Sequence, residues 1–184
     1  MDSLEGHLLI AAPQLPDPNF SRTVVLLVQY NAHGAFGLIL NQPSDIKLSD
    51  LWSRIDDAPC ESDAYISIGG PVDGPILVLH TDVTHSESEV LPGVYIASDR
   101  ENVRHIVLDE VEPFRVFSGY AGWGHGQLET ELELGGWISL AATKELVFDE
   151  NVSGLWQNVV HLAGRNFFEG TLGIREFPSD NDLN

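Results

Sequence analysis

The apolar residues of this chain come in short bursts separated by polar and turn-forming segments, and most bursts have the length of a β-strand. Residues 6–12 (GHLLIAA) form one run, closed by Pro13, and residues 24–28 (VVLLV) a second; both read as buried strands. Between them Pro13, Pro16 and Pro18 fix φ and remove donors, which predicts an ordered, stiff loop that delivers Phe20, Ser21, Arg22 and Thr23 to the second strand. A turn at residues 31–34 and a returning run at 35–41 predict a hairpin, ended by Asn41-Gln42-Pro43. Residues 64–68 and 76–79 read as neighbouring strands joined by the turn GGPVDGP, and residues 94–97 as another strand.

Helical spacing appears in fewer places. Leu48, Leu51, Trp52 and Ile55 form an apolar stripe, with Trp52 read as a core residue. Ser98 and Glu101 have capping-box spacing and predict a helix opening with Ser98 as N-cap and running through Val103, Ile106 and Val107. Phe114, Val116 and Phe117 lead into residues 119–126 (GYAGWGHG), where four glycines in eight positions read as a loop rather than a strand. A short helix follows from Gln127, with Leu128 and Leu132 apolar and Gly135-Gly136 as its stop, and residues 137–140 resume a strand. Leu155, Trp156, Val159, Val160, Leu162 and Ala163 mark a final helix stopped by Gly164, and residues 178–182 are polar enough to predict a disordered tail. The whole predicts a single α+β domain over residues 1–164, a mixed but mainly antiparallel sheet with short helices packed on it, followed by an extension at 165–184. A doubly wound, three-layer α/β arrangement is the alternative.

Composition narrows the function classes. Nine Lys+Arg against 28 Asp+Glu leave a net charge of −19, which repels nucleic-acid phosphates and disfavours direct DNA binding. Cys60 is the sole cysteine, so an intrachain disulfide and a cysteine zinc site are excluded. The first residues lack a basic segment followed by a long apolar one, and no run reaches membrane-spanning length, so a cytoplasmic location is expected, without membrane association. Residues 80–89 hold His80, Asp82, His85, Glu87 and Glu89, yet their spacing matches no ligand face, and a solvated acidic loop is expected rather than a metal site. The glycines before Gln127 suggest an anion site at a helix start. Against that stand the carboxylates of the helix, the lack of Lys or Arg between Val116 and Thr143, and the missing third glycine of a dinucleotide fingerprint. Ser118 lacks the flanking glycines of a nucleophile elbow. No cofactor is implied.

Several motifs, in order along the chain, resemble the AlgH/YqgE family, a mostly bacterial group without an established biochemical activity. They are Gly6-His7-Leu8-Leu9-Ile10-Ala11 with Pro13, Asp17-Pro18-Asn19-Phe20 with Arg22-Thr23, Gly34-Ala35 with Gly37-Leu38, and Asn41-Gln42-Pro43. Gly69-Gly70-Pro71-Val72, Leu79-His80, and Gly119-Tyr120-Ala121-Gly122-Trp123-Gly124 with Gly126-Gln127-Leu128-Glu129 and Glu131 complete the match. Tyr30 stands where the family usually has histidine, and His125 where proline is common. The resemblance carries the label of transcriptional regulator, which implies nothing about DNA contact. Polar residues at strand ends and loop starts are the candidate ligand-binding set: Arg22, Thr23, Asn41, His80, Trp123, Gln127 and Glu131. Arg22 would hold an acidic group, Trp123 would stack, and Asn41 and Gln127 would orient the ligand. The leading reading is a regulatory protein that binds a small molecule or peptide. An enzyme using His80 and Glu131, or an acidic protein-interaction module, are the alternatives.

Overall fold

The structure is a computed structural model and describes residues 3–109 and 111–167; the expected disordered tail at 178–182 lies outside them. The strands are β1 (His7–Ala11), β2 (Val24–Asn31), β3 (Gly34–Ile39), β4 (Pro43–Lys47), β5 (Tyr65–Ile68), β6 (Val72–His80), β7 (Ser88–Leu91), β8 (Val94–Ala97), β9 (Arg115–Gly124) and β10 (Trp137–Ala141). The helices are α1 (Leu48–Trp52), α2 (Arg100–Leu108), α3 (Gln127–Glu133), α4 (Lys144–Val147) and α5 (Leu155–Phe167), with a 3₁₀ turn at Val152–Gly154. The strands run β10-β1-β2-β3-β9-β6-β8-β7, with β5 on β9 and β4 on β5. Only β5 and β9 pair in parallel among these strands; the rest are antiparallel. This is the expected α+β fold, and not the doubly wound alternative.

Alternation assigns the two faces. Leu8 and Ile10 of β1, Leu26 of β2, Leu79 of β6 and Phe117 of β9 meet on one face, which Val147 of α4 and Leu155 and Val159 of α5 cover. Leu9, Val25, Leu27, Ala121 and Trp123 point the other way, under Leu128 of α3. Further along that face Ile66, Val78 and Val116 lie under Trp52 of α1 and Val103, Ile106 and Val107 of α2. Each fully buried aliphatic chain contributes about 1.5–3 kcal/mol, so the short helices are held by these faces and not by helix propensity. The sheet curls until β7 reaches the start of β1: a Cβ on Gly6 would lie 2.8 Å from the Val90 carbonyl oxygen.

Several expectations are corrected. Residues 119–124 are strand, not loop, and of their glycines Gly119 serves close backbone packing. Gly119 has φ +72°, and a Cβ there would meet the carbonyl oxygens of Gly70 and Val72 within 3 Å. Its left-handed backbone resets the period-two alternation, so Phe117 and Tyr120 reach the same core while Ala121 and Trp123 face the opposite one. Nor are β5 and β6 paired neighbours: both bond to β9, and the GGPVDGP segment starts β6. The N-cap of α2 is Asp99, whose carboxylate accepts from Glu101 N and Asn102 N, because Ser98 Oγ donates instead to Glu87. Helix α5 continues through Gly164 to Phe167. Strands β4 and β7 and helix α4 carried too few apolar residues to read from the pattern.

Candidate functional site

Three of the expected residues meet on one surface. Glu131 of α3 accepts from Trp123 Nε1 at 3.0 Å and Trp137 Nε1 at 2.8 Å through one oxygen, and from Gln127 Nε2 at 3.0 Å through the other. Gln127 Oε1 in turn accepts from Gly124 N. Trp123 is 5% exposed, stacked on Phe20 at 6.1 Å and edge-on to Trp137 at 5.9 Å. Every polar atom of this constellation that can bond indole or amide is thus engaged by the protein, and the group fastens α3 to β9 and β10. The residues that depart from the family's pattern extend the same fastening. Tyr30 OH donates to Glu129 at 2.6 Å, a bond that raises the tyrosine pKa, and His125 Nδ1 lies 2.7 Å from the Ala32 carbonyl oxygen.

Arg22, Thr23 and Asn41 form a second group, joined to the first only through the loop that carries Phe20. Thr23 Oγ1 donates to the Phe20 carbonyl at 2.9 Å. Asn41 accepts from Val24 N at 2.8 Å and donates to the Arg22 carbonyl at 2.9 Å, so its amide completes the backbone bonds of a corner. Arg22 itself, with φ 55°, sends its guanidinium over Trp156 of α5, 5.7 Å from the ring centroid, on the face opposite Trp123.

His80 stands apart. It is fully buried, its Nδ1 accepts from Asp82 N at 3.2 Å, and its Nε2 has no partner among the described residues. Burial lowers its pKa, opposed by the charge of Asp82, reinforced by His85 and opposed by Glu87. The loop above it is more ordered than expected. His85 lies 2.6 Å from Asp82 and stacks on His105 at 4.4 Å, while Glu87 accepts from Ser98 N, Ser98 Oγ and Asp99 N. These bonds hold the Glu87 carboxyl below its ordinary pKa against the upward push of burial.

A cleft between α1 and α2 was not anticipated. It has a volume of about 330 Å³ and is lined by Trp52, Ile55, Asp56, Ile76, Ser98, Arg100 and Val103. Trp52 is 3% exposed, and its indole N–H has no hydrogen-bond partner among the described residues. An orphaned buried donor costs about 1–3 kcal/mol, and this nitrogen is itself closed to solvent. The single carboxylate of the lining is already occupied: Asp56 accepts from Ala58 N at 2.9 Å and Arg104 Nε at 3.2 Å. Those contacts, the Ala58 bond foremost, outweigh burial and lower its pKa. Arg100 is held loosely, 3.8 Å from Asp56, donating at 3.2 Å to the Ile55 carbonyl, with three quarters of its side chain exposed. Sequence reasoning placed Trp52 in the core, which is correct, but no sequence signal joins residues 52, 76 and 100 into one concavity. A second cleft of about 330 Å³, lined by Val28, Phe36, Leu77, Ile96 and Glu87 among others, presents a carboxylate whose bonds the protein already supplies.

Arg115 was also missed. It is partly buried, donates to the carbonyls of Val147 and Leu40 and to Ser67 Oγ, and desolvation brings its pKa down to about 10. It ties β9 to β5, to the end of β3 and to α4.

A curled, mainly antiparallel sheet with short helices on both faces, a saturated aromatic fastening and an apolar cleft at α1 and α2 defines the class. The chain belongs to the AlgH-like family, whose model matches residues 8–167. It is 38% identical over 168 residues to a UPF0301 protein of Chlorobaculum tepidum, covering 88% of each chain. It is 35% identical over 178 residues to one of Shewanella woodyi, covering 92% of this chain and 96% of that one. The solution structure of AlgH from Pseudomonas aeruginosa superimposes with a TM-score of 0.76 at 30% identity over 97% of both chains. A crystal structure from Corynebacterium diphtheriae shares the fold, with a TM-score of 0.72 at 23% identity, over 88% of this chain and 87% of that one. No helix of the described residues is long and apolar enough to cross a membrane.

Proposed function

We propose that this protein is a regulatory ligand-binding protein that takes a small organic molecule into the cleft between α1 and α2 and does not contact DNA directly. The observation that carries the reading is the concavity of about 330 Å³ itself, with Trp52, Ile76 and Val103 as apolar lining and the loosely held Arg100 beside them. The net charge of −19 supports action without nucleic acid. The enzyme alternative gains nothing from the geometry, because the hydrogen-bond partners of His80 and Glu131 do not overlap. A thermal-shift screen against metabolites tests the proposal, since a ligand at a hundred times its Kd stabilises by about 2.7 kcal/mol. The expected hit disappears in Trp52→Phe and survives in Trp123→Phe and Arg22→Ala. The opposite pattern returns the ligand to the glycine strand, and loss of the reading follows.

A further inference from the structure

The inner face of the curled sheet has two ends, and they are finished differently. Strands β1, β2, β3, β6, β7, β8 and β9 all send side chains into one core. Where β1 and β3 finish, α4 and α5 close it. Val147, Leu155 and Val159 join the core there, Arg115 ties the Val147 carbonyl to that of Leu40, and Trp156 Nε1 donates to the Ala11 carbonyl. Antiparallel pairing carries the last part of β2, the start of β3, the end of β8 and the start of β7 to the opposite end. The second cleft, of about 330 Å³, opens there, with Val28, Phe36, Leu77 and Ile96 as its apolar wall. All four belong to the same core or pack against it. The cleft is therefore the mouth of the curled sheet, a common position for small-molecule sites.

The charges around this mouth are one-sided. Glu5 and Glu87 line it, both exposed, and no Lys or Arg does. The hydrogen bonds of Glu5 run through its backbone, which leaves its carboxylate without a partner among the described residues. Glu87 accepts only from neutral groups, Ser98 N, Ser98 Oγ and Asp99 N, so its charge stays. The start of α2 offsets part of that charge, but the Asp99 carboxylate that caps the same helix adds another, and Glu89 follows on β7. The bases nearby are held elsewhere: Arg100 donates to Ile55 and faces Asp56, and His85 is paired with Asp82. His7 lies against the Glu5 carbonyl, and burial pushes the His80 pKa down, toward the neutral ring.

An anion would meet two carboxylates and the field of a chain of net −19. A bare metal ion finds no suitable group of three ligating side chains among the described residues. A neutral molecule uses the apolar wall and leaves Glu5 unpaired.

We propose that the mouth of the curled sheet is a second binding site, selective for a small organic amine. Its apolar body lies against Val28, Leu77 and Ile96, and its ammonium pairs with Glu5 at the rim, drawn in by the field of the acids around it. The site shares only Ser98 with the lining of the cleft between α1 and α2.

The test is a titration of the full chain followed by ¹H–¹³C NMR at the Ile96 δ1-methyl resonance, which is assigned by its loss in Ile96→Val. The probes are phenethylamine and hexylamine, each beside the alcohol of the same skeleton. The expected result is a saturable shift with both amines, roughly fivefold weaker for the alcohols at low salt, the size an exposed ion pair allows. The preference shrinks as salt is raised. Glu5→Gln brings the amines to the level of the alcohols, whereas Asp45→Asn, at an exposed acid of β4, leaves them unchanged. An equal loss in both variants places the preference in the field of the whole chain and overturns the Glu5 assignment. Equal affinity for amine and alcohol in the wild type overturns the choice of a cation. An Ile96 resonance that no probe moves overturns the site.

Discussion

The aromatic surface around Trp123 and the cleft around Trp52 both present a tryptophan, a carboxylate and nearby polar side chains, yet they differ in one respect. At the first, Glu131 receives both indole N–H groups and the Gln127 amide, and nothing is left over. At the second, the indole has no acceptor among the described residues and the arginine is loosely held. Conspicuous residues that complete one another's hydrogen bonds stabilise a fold, while a concavity with apolar lining and a loosely held cation has contacts left to offer a ligand.

That contrast can be broken by stability measurements. Glu131→Leu strands two indole N–H groups and an amide, and chemical denaturation is expected to show a loss of about 3 kcal/mol; a variant as stable as wild type would remove the saturated cluster from the fold's foundations. Asn41→Ala, which uncouples the Arg22 carbonyl and Val24 N–H from their shared amide, is expected to cost about 1.5 kcal/mol by the same measurement.

The smallest effect sharpens the comparison by adding a buried nitrogen that titrates. His80 Nε2 shares with Trp52 Nε1 the property of having no partner among the described residues, but His80 can take a proton. Its folded pKa lies below its ordinary value of 6.5, so on acidification the unfolded chain binds the proton first. Stability from this group is therefore complete above the ordinary value, falls as pH drops through it, and levels off below the folded pKa. Melting temperatures between pH 7.5 and 5.5, roughly bracketing the ordinary histidine range, should fall less steeply in His80→Asn than in wild type. Equal slopes would contradict the burial-driven shift.

The apolar runs made β1, β2, β3, β5, β6, β8 and β10 legible, as the apolar stripes did α1, α2, α3 and α5. The pattern failed where another force set the structure. Polar β4 and β7 are strands because neighbours supply their ladders. The glycines of β9 read as a loop because composition does not reveal that the Gly70 and Val72 backbones press against Gly119. Ser98 looked like a cap until Glu87, eleven residues earlier, claimed its hydroxyl. The candidate residues were legible as polar groups at strand ends, but their partners were not: Asn41 serves two backbone groups nineteen and seventeen residues away. The cleft was invisible for the same reason, since an unpaired N–H is a property of three-dimensional surroundings.

The position of β9 has a consequence for how the chain reaches this state. Late in the sequence yet central in the sheet, it joins β3 on one side to β6 on the other and supplies the edge that β5 needs. A nascent chain that ends before Arg115 has a β2–β3 hairpin and a β7–β8 hairpin with no strand to connect them. Because loop closure costs entropy before such non-local contacts form, sheet closure is expected to come late and slowly in refolding. The amino-terminal hundred or so residues form half of a structure rather than a smaller version of it.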